Sequence, residues 1–386
     1  MTMVLSDLRR DRVGTVLETS IALRIGDDVQ RLSIVHGGDF GPLADLQPEF
    51  DPFLILMLIP AMARNMPIVV EGSIDARRLD GVRRGAQTLL SRASRGWQIV
   101  PIMAEARIGH RAPDLSKGAA MGMSCGIDSL FSFEELARPE VAEHLRVKLL
   151  MHNDVGAHPN RATFERHRDH VQRFTQDIGL PLVTTSINLA PYFGRRFIHS
   201  HTLRNAGAAM SLEPLFHAYV YSKGDVGSSQ ARLGRSAGIG PMDPALLPLL
   251  NTSANSYISH GMHIERLGKT RQVMQGPYAK PYLAVCTRGF EDGRSTLNCG
   301  HCYKCARALF FADAHGMLEE FSQTFDLEAF HANRTHALHR ILRHTFLNRR
   351  TREDRDMLAY LFEQAYAMPA WFSVFRASVG QSSLPG

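Results

Sequence analysis

From residue 118 onward the chain repeats one pattern: a short apolar run, a polar turn, then a segment with helical periodicity. Residues 118–123 are small and apolar. Residues 147–153 form a second apolar run, 182–187 a β-branched third and 217–222 a fourth. Between these runs Phe131, Phe133 and Leu136 fall at roughly helical spacing. Residues 163–178 read as a charged helix closed by Gly179-Leu180-Pro181, and 202–216 as another helix. Strands separated by helices of this length do not pair as hairpins. Their crossover connections predict an α/β fold, a parallel twisted sheet with helices on both faces.

Residues 1–115 precede this pattern and read as a separate α+β extension. Residues 16–25 and 29–36 alternate around Gly26-Asp27-Asp28, which predicts a hairpin. An apolar helix is expected over 51–64, strands over 67–71 and 97–102, and an amphipathic helix over 75–93. His36-Gly37-Gly38-Asp39 reads as a loop, and Glu71-Gly72-Ser73 is as readily a helix cap as a site. No catalytic constellation stands out here. The expected domains are therefore 1–115, a core over 116–315 and a helical region over 316–386. In that last region helices are expected over 327–331, 335–347 and 352–366, with a disordered tail over 377–386. His336, His339 and His344, at spacings of three and five, do not make a clean ligand set.

In a parallel sheet, ligands sit beyond the carboxyl ends of the strands. Four polar groups fall there: Ser124-Cys125-Gly126-Ile127-Asp128-Ser129, Asn153-Asp154, Thr185-Ser186, and Ser222-Lys223-Gly224-Asp225. The first is the most specific. A glycine and small hydroxyl residues between a strand and a helix leave backbone N–H groups free to converge on an anion, and the helix N-terminus adds partial positive charge. Asp128 fits such a cradle if Mg²⁺ neutralises the phosphates. The spacing is not that of a Walker A loop, which ends Gly-Lys-Ser/Thr. Arg204-Asn205, opening a later helix, is placed to hold phosphate or ribose oxygens. Thr252, Glu265, Arg266 and Lys269 lie in a polar segment further on. On a helix, Arg266 and Lys269 share a face and reach toward a departing pyrophosphate.

Four of the five cysteines are spaced C-x12-C-x2-C-x2-C: Cys286, Cys299, Cys302 and Cys305. Four thiolates at this spacing can surround one Zn²⁺ with no position left for water, the arrangement of a structural metal. An iron–sulfur cluster is the rival occupant.

The loop, Arg-Asn at a later helix start, a distant Cys and the knuckle Cys299-Gly300-His301-Cys302-Tyr303-Lys304-Cys305 come in an order that resembles the PP-loop ATP pyrophosphatases. Within them it is similar to the 7-cyano-7-deazaguanine synthases (QueC) and their QueC-like relatives. The likeness covers roughly residues 117–312. Cys125 departs from it, standing where the family usually has glycine, as do the first 115 residues and the roughly 70 residues after the knuckle. The resemblance implies a loop that binds ATP and Mg²⁺ through Ser124, Gly126, Asp128 and Ser129, and a structural Zn²⁺ on the four cysteines. It also implies attack of a substrate carboxylate on the α-phosphate, release of pyrophosphate, and capture of the acyl-adenylate by a nitrogen nucleophile to give an amide or nitrile. The substrate it suggests is a carboxylated 7-deazaguanine or another carboxylated small molecule. A protein partner from the same operon is also in view, since QueC-like proteins occur in bacterial anti-phage operons and biosynthetic clusters.

Asp128, Ser129, Arg204 and Lys269 are thus the candidate catalytic residues. Ser124, Cys125, Gly126, Ile127, Asn153, Asp154, Thr185 and Asn205 join Asp128, Ser129 and Arg204 as nucleotide contacts. Two other readings remain. One is a sulfur transferase, with Cys125 as a thiolate activated at the helix N-terminus. The other is a non-catalytic ATP-binding subunit of an assembly. The net charge of +6 and pI near 9.2 suit a nucleotide, and without an aromatic-interleaved basic stripe nucleic acid is not the expected partner. With 44% hydrophobic and 21% charged residues, no apolar run long enough to span a bilayer and no secretory signal pattern, a cytoplasmic homo-oligomer is expected.

Overall fold

The computed structural model describes residues 1–38, 48–94, 96–109, 111–156, 160–189, 192, 199–223, 239–286, 296–343, 345 and 352–369. Its strands are β1 (Met3–Val13), β2 (Val16–Ile25), β3 (Asp28–Gly37), β4 (Ile68–Asp75), β5 (Ile102–Arg107), β6 (Ala119–Gly122), β7 (Val147–Asp154), β8 (Leu182–Ile187), β9 (Ala218–Ser222) and β10 (Ser256–His260). All ten belong to one sheet, in the order β10-β9-β6-β7-β8-β3-β2-β1-β4-β5. Most pairings are parallel; β1–β2, β2–β3 and β3–β8 are antiparallel. The protein is an α/β protein, as the alternation of strands and helices implied.

The chain divides into two compact units. One is Met1–Ser124 with Ser132–His263 and holds every strand; the other is Cys125–Phe131 with Ile264–Gly386. Residues 1–115 therefore do not stand apart from the core strands as the sequence suggested. The reason is the seam between β3 and β8, whose register runs from Ile34↔Ile187 to Gly37↔Thr184. His36 belongs to this seam and not to a loop. Its fully buried ring lies 3.0 Å from Thr185 Oγ1 through Nδ1 and 2.6 Å from Ser211 Oγ through Nε2. Burial, with Arg10 nearby, pulls its pKa down to about 3.

That shift has a stability consequence. Between about pH 6.5 and 3 the unfolded chain binds a proton at His36 and the folded chain does not. Stability is then complete above about 6.5 and falls as the pH drops, by an amount on the order of 5 kcal/mol. Urea midpoints across that range should fall for wild type and stay flatter for His36→Gln. Parallel pH profiles for the two proteins would contradict the assignment.

The helix Asp51–Arg64 is buried over Asp51 to Met62, all round its circumference, which explains its near-continuous apolar sequence. It packs on the helix His201–Met210, where a Cβ on Gly207 would come within 2.7 Å of Leu56 Cγ. Beneath its N-terminus lies a buried ion cluster. The Arg78 guanidinium bonds Asp51 Oδ1 (2.8 Å), Glu213 Oε1 and the Leu250 carbonyl (2.8 Å), and it lies 5.7 Å over the Tyr257 ring.

Other expectations shift. The strand expected over 97–102 lies at β5 instead; Trp97 and Val100 are buried in coil, with the Val100 backbone held by Gln87 (2.8 and 3.1 Å). Glu71-Gly72-Ser73 falls inside β4. The helices expected at 327–331 and 335–347 form one helix, Leu327–Arg343, followed by Arg352–Glu363. Asp39, Gly224, Asp225, His344 and the tail 377–386 lie outside the described residues. Among the described residues, no helix is long and apolar enough to cross a membrane.

Candidate functional site

In sequence order along the sheet, β8-β7-β6-β9-β10 is the 3-2-1-4-5 arrangement of doubly wound α/β proteins. The order reverses between β6 and β9, and a crevice opens at the strand ends where such a reversal occurs. Ser124 leaves the carboxyl end of β6 at that point. The ladder extends one bond beyond β6, Met123 N–H to the Met151 carbonyl (2.7 Å). His152, stacked on Phe164 with centroids 5.2 Å apart, meets the Met123 carbonyl through Nδ1 at 3.0 Å. His167 Nε2 lies 2.9 Å from the Ser124 carbonyl. Two histidines that sequence reasoning passed over thus fix the start of the loop.

Along the same edge the structure brings together Asn153 and Asn205, joined Nδ2 to Oδ1 at 3.1 Å. Asn205 also donates to the His201 carbonyl at 2.8 Å, and among the described residues the buried Asn153 Oδ1 has no hydrogen-bond donor. Arg204 is anchored by Ser200 Oγ (2.7 Å) and the Val155 carbonyl (2.9 Å), its pKa lowered to about 10 by burial. Asp154, half-buried, closes β7. Lys223, just past β9, donates to the Gly240 carbonyl and sits 3.9 Å from Asp243, whose carboxyl burial raises to about 6. Thr185 is not part of this group. Strand β8 continues to Ile187, so Thr185 falls short of its end and its fully buried hydroxyl meets His36. Thr252 caps a turn instead, accepting from the Asn255 N–H at 2.9 Å.

The second unit carries the rest of the loop. Cys125 has φ of 52°, in the left-handed region that costs a non-glycine residue about 1–2 kcal/mol. Its side chain is fully buried and burial pushes the thiol pKa up, which speaks against the reactive thiolate of the sulfur-transferase alternative. The helix Ile127–Leu136 starts with the Gly126 carbonyl accepting from Leu130 N–H (2.9 Å) and Ser129 Oγ (3.1 Å). Asp128, in the first turn, is ion-paired to Arg266 and lies 3.8 Å from Lys269 Nζ. Both cations come from the helix Arg266–Gln275, so the shared face expected of them is real, but they meet Asp128. Its Oδ1 is buried and, among the described residues, accepts no hydrogen bond. Lys269 is fully buried, its ammonium 5.6 Å over the Phe131 ring. Glu265 precedes the helix as its N-cap residue without a side-chain cap.

A cavity of about 190 Å³ opens at Asp128, lined by Arg266, Lys304 and Arg307 and also by Glu353 and Asp356. Lys304, its pKa lowered by burial and by Arg266, was missed by sequence reasoning. Its position inside the cysteine knuckle was the available signal.

Cys286, Cys299, Cys302 and Cys305 bring their sulfurs within 4.8 Å of one another. Cys302 caps the helix Tyr303–Ala314, and the knuckle is shaped by N–H···S contacts from Cys302 N to Cys299 Sγ (3.3 Å) and Cys305 N to Cys302 Sγ (3.5 Å). Gly300 turns at φ of 70°, where a Cβ would lie 2.0 Å from the Asp326 carbonyl oxygen, so only glycine fits. The four thiols crowd one another: Cys299 lowers the pKa of Cys286, Cys286 and Cys299 lower that of Cys302, Cys286 and Cys302 raise that of Cys299, and all three raise that of Cys305. A soft cation resolves that crowding by taking all four as thiolates, and the set suits a tetrahedral metal such as zinc.

Asn298 holds the distant cysteine to the knuckle. Fully buried, its Oδ1 accepts from Val285 N–H (2.8 Å) and Cys286 N–H (3.1 Å), and its Nδ2 donates to the Leu283 (2.7 Å) and Thr324 (2.9 Å) carbonyls. Asn298→Ala leaves those backbone groups orphaned. At about 1–3 kcal/mol per lost partner, the variant should be destabilised by about 3 kcal/mol or more and lose its metal to a chelator at least tenfold faster. Wild-type release kinetics would contradict this role.

Comparison of the chain with protein-family models, with curated proteins and with solved structures finds no match. The functional reading accordingly rests on these residues.

Proposed function

We propose that the protein is a PP-loop, QueC-like enzyme that adenylates a carboxylate with ATP and passes the acyl group to a nitrogen nucleophile. The observation that carries this reading is the loop Ser124–Ser129 leaving the central strand β6 at the point where strand order reverses, with Asp128 in the first helical turn after it. Asn153, Asn205 and Arg204 line the same strand ends as Ser124 and suit ribose and phosphate oxygens. Bound at Asp128, Mg²⁺ would neutralise phosphate charge during transfer. Arg266, Lys269 and Lys304 supply fixed positive charge around Asp128 for the leaving pyrophosphate. The substrate carboxylate forms a bond to the α-phosphorus as the bond to pyrophosphate breaks. The nitrogen nucleophile then bonds to the acyl carbon and AMP leaves. Orientation and charge supply the catalysis, so no His/Asp dyad is required. A carboxylated 7-deazaguanine is the proposed substrate class, in a cytoplasmic setting, with an operon-encoded protein as an alternative acceptor. Sulfur transfer has no support from Cys125, whose thiol is buried. A non-catalytic nucleotide-binding role has one observation in its favour, the ion pair that already satisfies one oxygen of Asp128.

The test is turnover of Mg-ATP with 7-carboxy-7-deazaguanine and ammonium, wild type against Asp128→Ala. Pyrophosphate release matched by AMP, reduced at least a hundredfold in the variant while the fold is retained, is the expected result. Phosphate and ADP as products would overturn the PP-loop reading. ATP binding without turnover for this and other carboxylates would favour the non-catalytic reading.

A further inference from the structure

The first unit contains a second group of metal-ligating side chains, unrelated to the cysteines: Glu135, His260 and His263, whose ligand atoms all lie within 4.8 Å of one another. We infer that these three residues form a divalent transition-metal site of the zinc class, with two imidazole nitrogens, one carboxylate oxygen and open coordination positions for water or an anionic oxygen.

Four features of the chain build this arrangement. His260 ends β10, where its carbonyl accepts from Lys223 N–H at 2.9 Å, so its backbone is fixed by the sheet. Gly261 then turns the chain at φ of 90°, a conformation that side-chain-bearing residues avoid, and brings His263 back beside His260. Their ring centroids are 5.7 Å apart at an angle of 70°, so the rings converge without stacking. Ser132 and Glu135, three apart on the helix Ile127–Leu136, present their side chains to this turn. Ser132 Oγ lies 3.1 Å from His260 Nδ1. A hydroxyl on one ring nitrogen orients a liganding histidine. Glu135 Oε2 lies 3.2 Å from His263 Nε2; its other oxygen is 3.9 Å from Arg138 across an exposed pair.

Two imidazoles and one carboxylate match Zn²⁺ sites that keep a position open, whereas Mg²⁺ and Ca²⁺ select oxygen-only sets. The site also lies at the carboxyl edge of β10, the strand next to β9 at the reversal of strand order. An anionic oxygen entering that edge is the natural fourth ligand.

The test uses the full chain with its cysteine site filled with zinc, titrated with Co²⁺ and then competed with Zn²⁺. A second equivalent should bind with the weak visible bands of a nitrogen–oxygen site and without the intense sulfur-to-metal charge transfer of a thiolate site. His263→Ala, at a largely exposed position and so neutral to folding, should weaken that equivalent at least tenfold. Glu135→Gln should do the same, and Ser132→Ala should weaken it about tenfold by releasing the His260 ring. His336→Ala should leave it unchanged. A single equivalent in wild type, or a second equivalent unaffected by both His263→Ala and Glu135→Gln, would overturn the inference.

Discussion

Stripping the metal from Cys286, Cys299, Cys302 and Cys305, by chelation or by Cys302→Ser, should unravel the knuckle and abolish ATP binding together. The sulfurs converge at the start of the helix Tyr303–Ala314, beside the buried Asn298. The turn at Gly300, the Asn298 hydrogen bonds and the N–H···S contacts all presuppose the thiolates drawn to one point. Structural zinc sites contribute about 10–16 kcal/mol of apparent binding free energy at neutral pH, and that energy is folding energy. The loss should therefore exceed that of any hydrophobic substitution in the chain. ATP affinity should follow because the knuckle opens the helix Tyr303–Ala314, whose first turns carry Lys304 and Arg307 into the wall of the cavity at Asp128. The measurement is ATP binding and near-ultraviolet circular dichroism as a chelator is added and zinc is then restored. Both signals should fall together and return together. Retained ATP affinity in metal-free protein would contradict the account.

Arg78→Met should be the most damaging single substitution in the first unit. Among the described residues, Arg78 is the only cation bonded to both Asp51 and Glu213, and all three side chains are at most 1% exposed. Asp51 and Glu213 have further partners in Arg107 (3.4 Å) and Arg111 (3.3 Å), and Tyr257 Oη donates to Glu213 at 2.6 Å. Both arginine contacts are longer than those of Arg78 and offset only part of its charge. Removing one member of a buried ion pair costs about 3–5 kcal/mol. Burial raises the Glu213 pKa against the pull of Arg78. With Arg78 gone the carboxyl should bind its proton more tightly when folded than when unfolded, so the variant's deficit should grow as pH rises. Urea midpoints at about pH 5 and 8 check this, and adding Glu213→Gln should recover part of the loss. A deficit under about 1 kcal/mol, or one that shrinks as pH rises, would contradict the assignment.

The α/β alternation and the cysteine set were legible because each depends on local spacing. Apolar runs mark β6 to β9, and C-x2-C-x2-C brings three sulfurs together whatever surrounds it. Strand β1 was not legible: only Met3, Val4 and Leu5 of its first turn toward the core are buried, and Asp7, Arg9, Arg10, Asp11 and Arg12 lie along a largely solvated hairpin. The joining of residues 1–115 to the sheet depends on pairing over about 150 positions between His36 and Thr185, which no window of sequence contains. Thr185 was misplaced for the same reason, since a polar residue near a strand end reads alike whether it faces a ligand or a buried histidine. Arg266 and Lys269 were recognised as a pair, but their counter-ion lies 138 residues away for Arg266. Lys304 was hidden in plain view between two cysteines, where ligand spacing drew all the attention.

The central claim is that a carboxylate oxygen attacks the α-phosphorus of ATP. The most direct measurement supplies a carboxylate substrate labelled with ¹⁸O in both oxygens and reads the mass of the AMP formed. The account predicts one ¹⁸O in each AMP and none in the pyrophosphate. Unlabelled AMP, or label in inorganic phosphate, would mean that the carboxylate is not adenylated and that the loop at Ser124–Ser129 serves another chemistry.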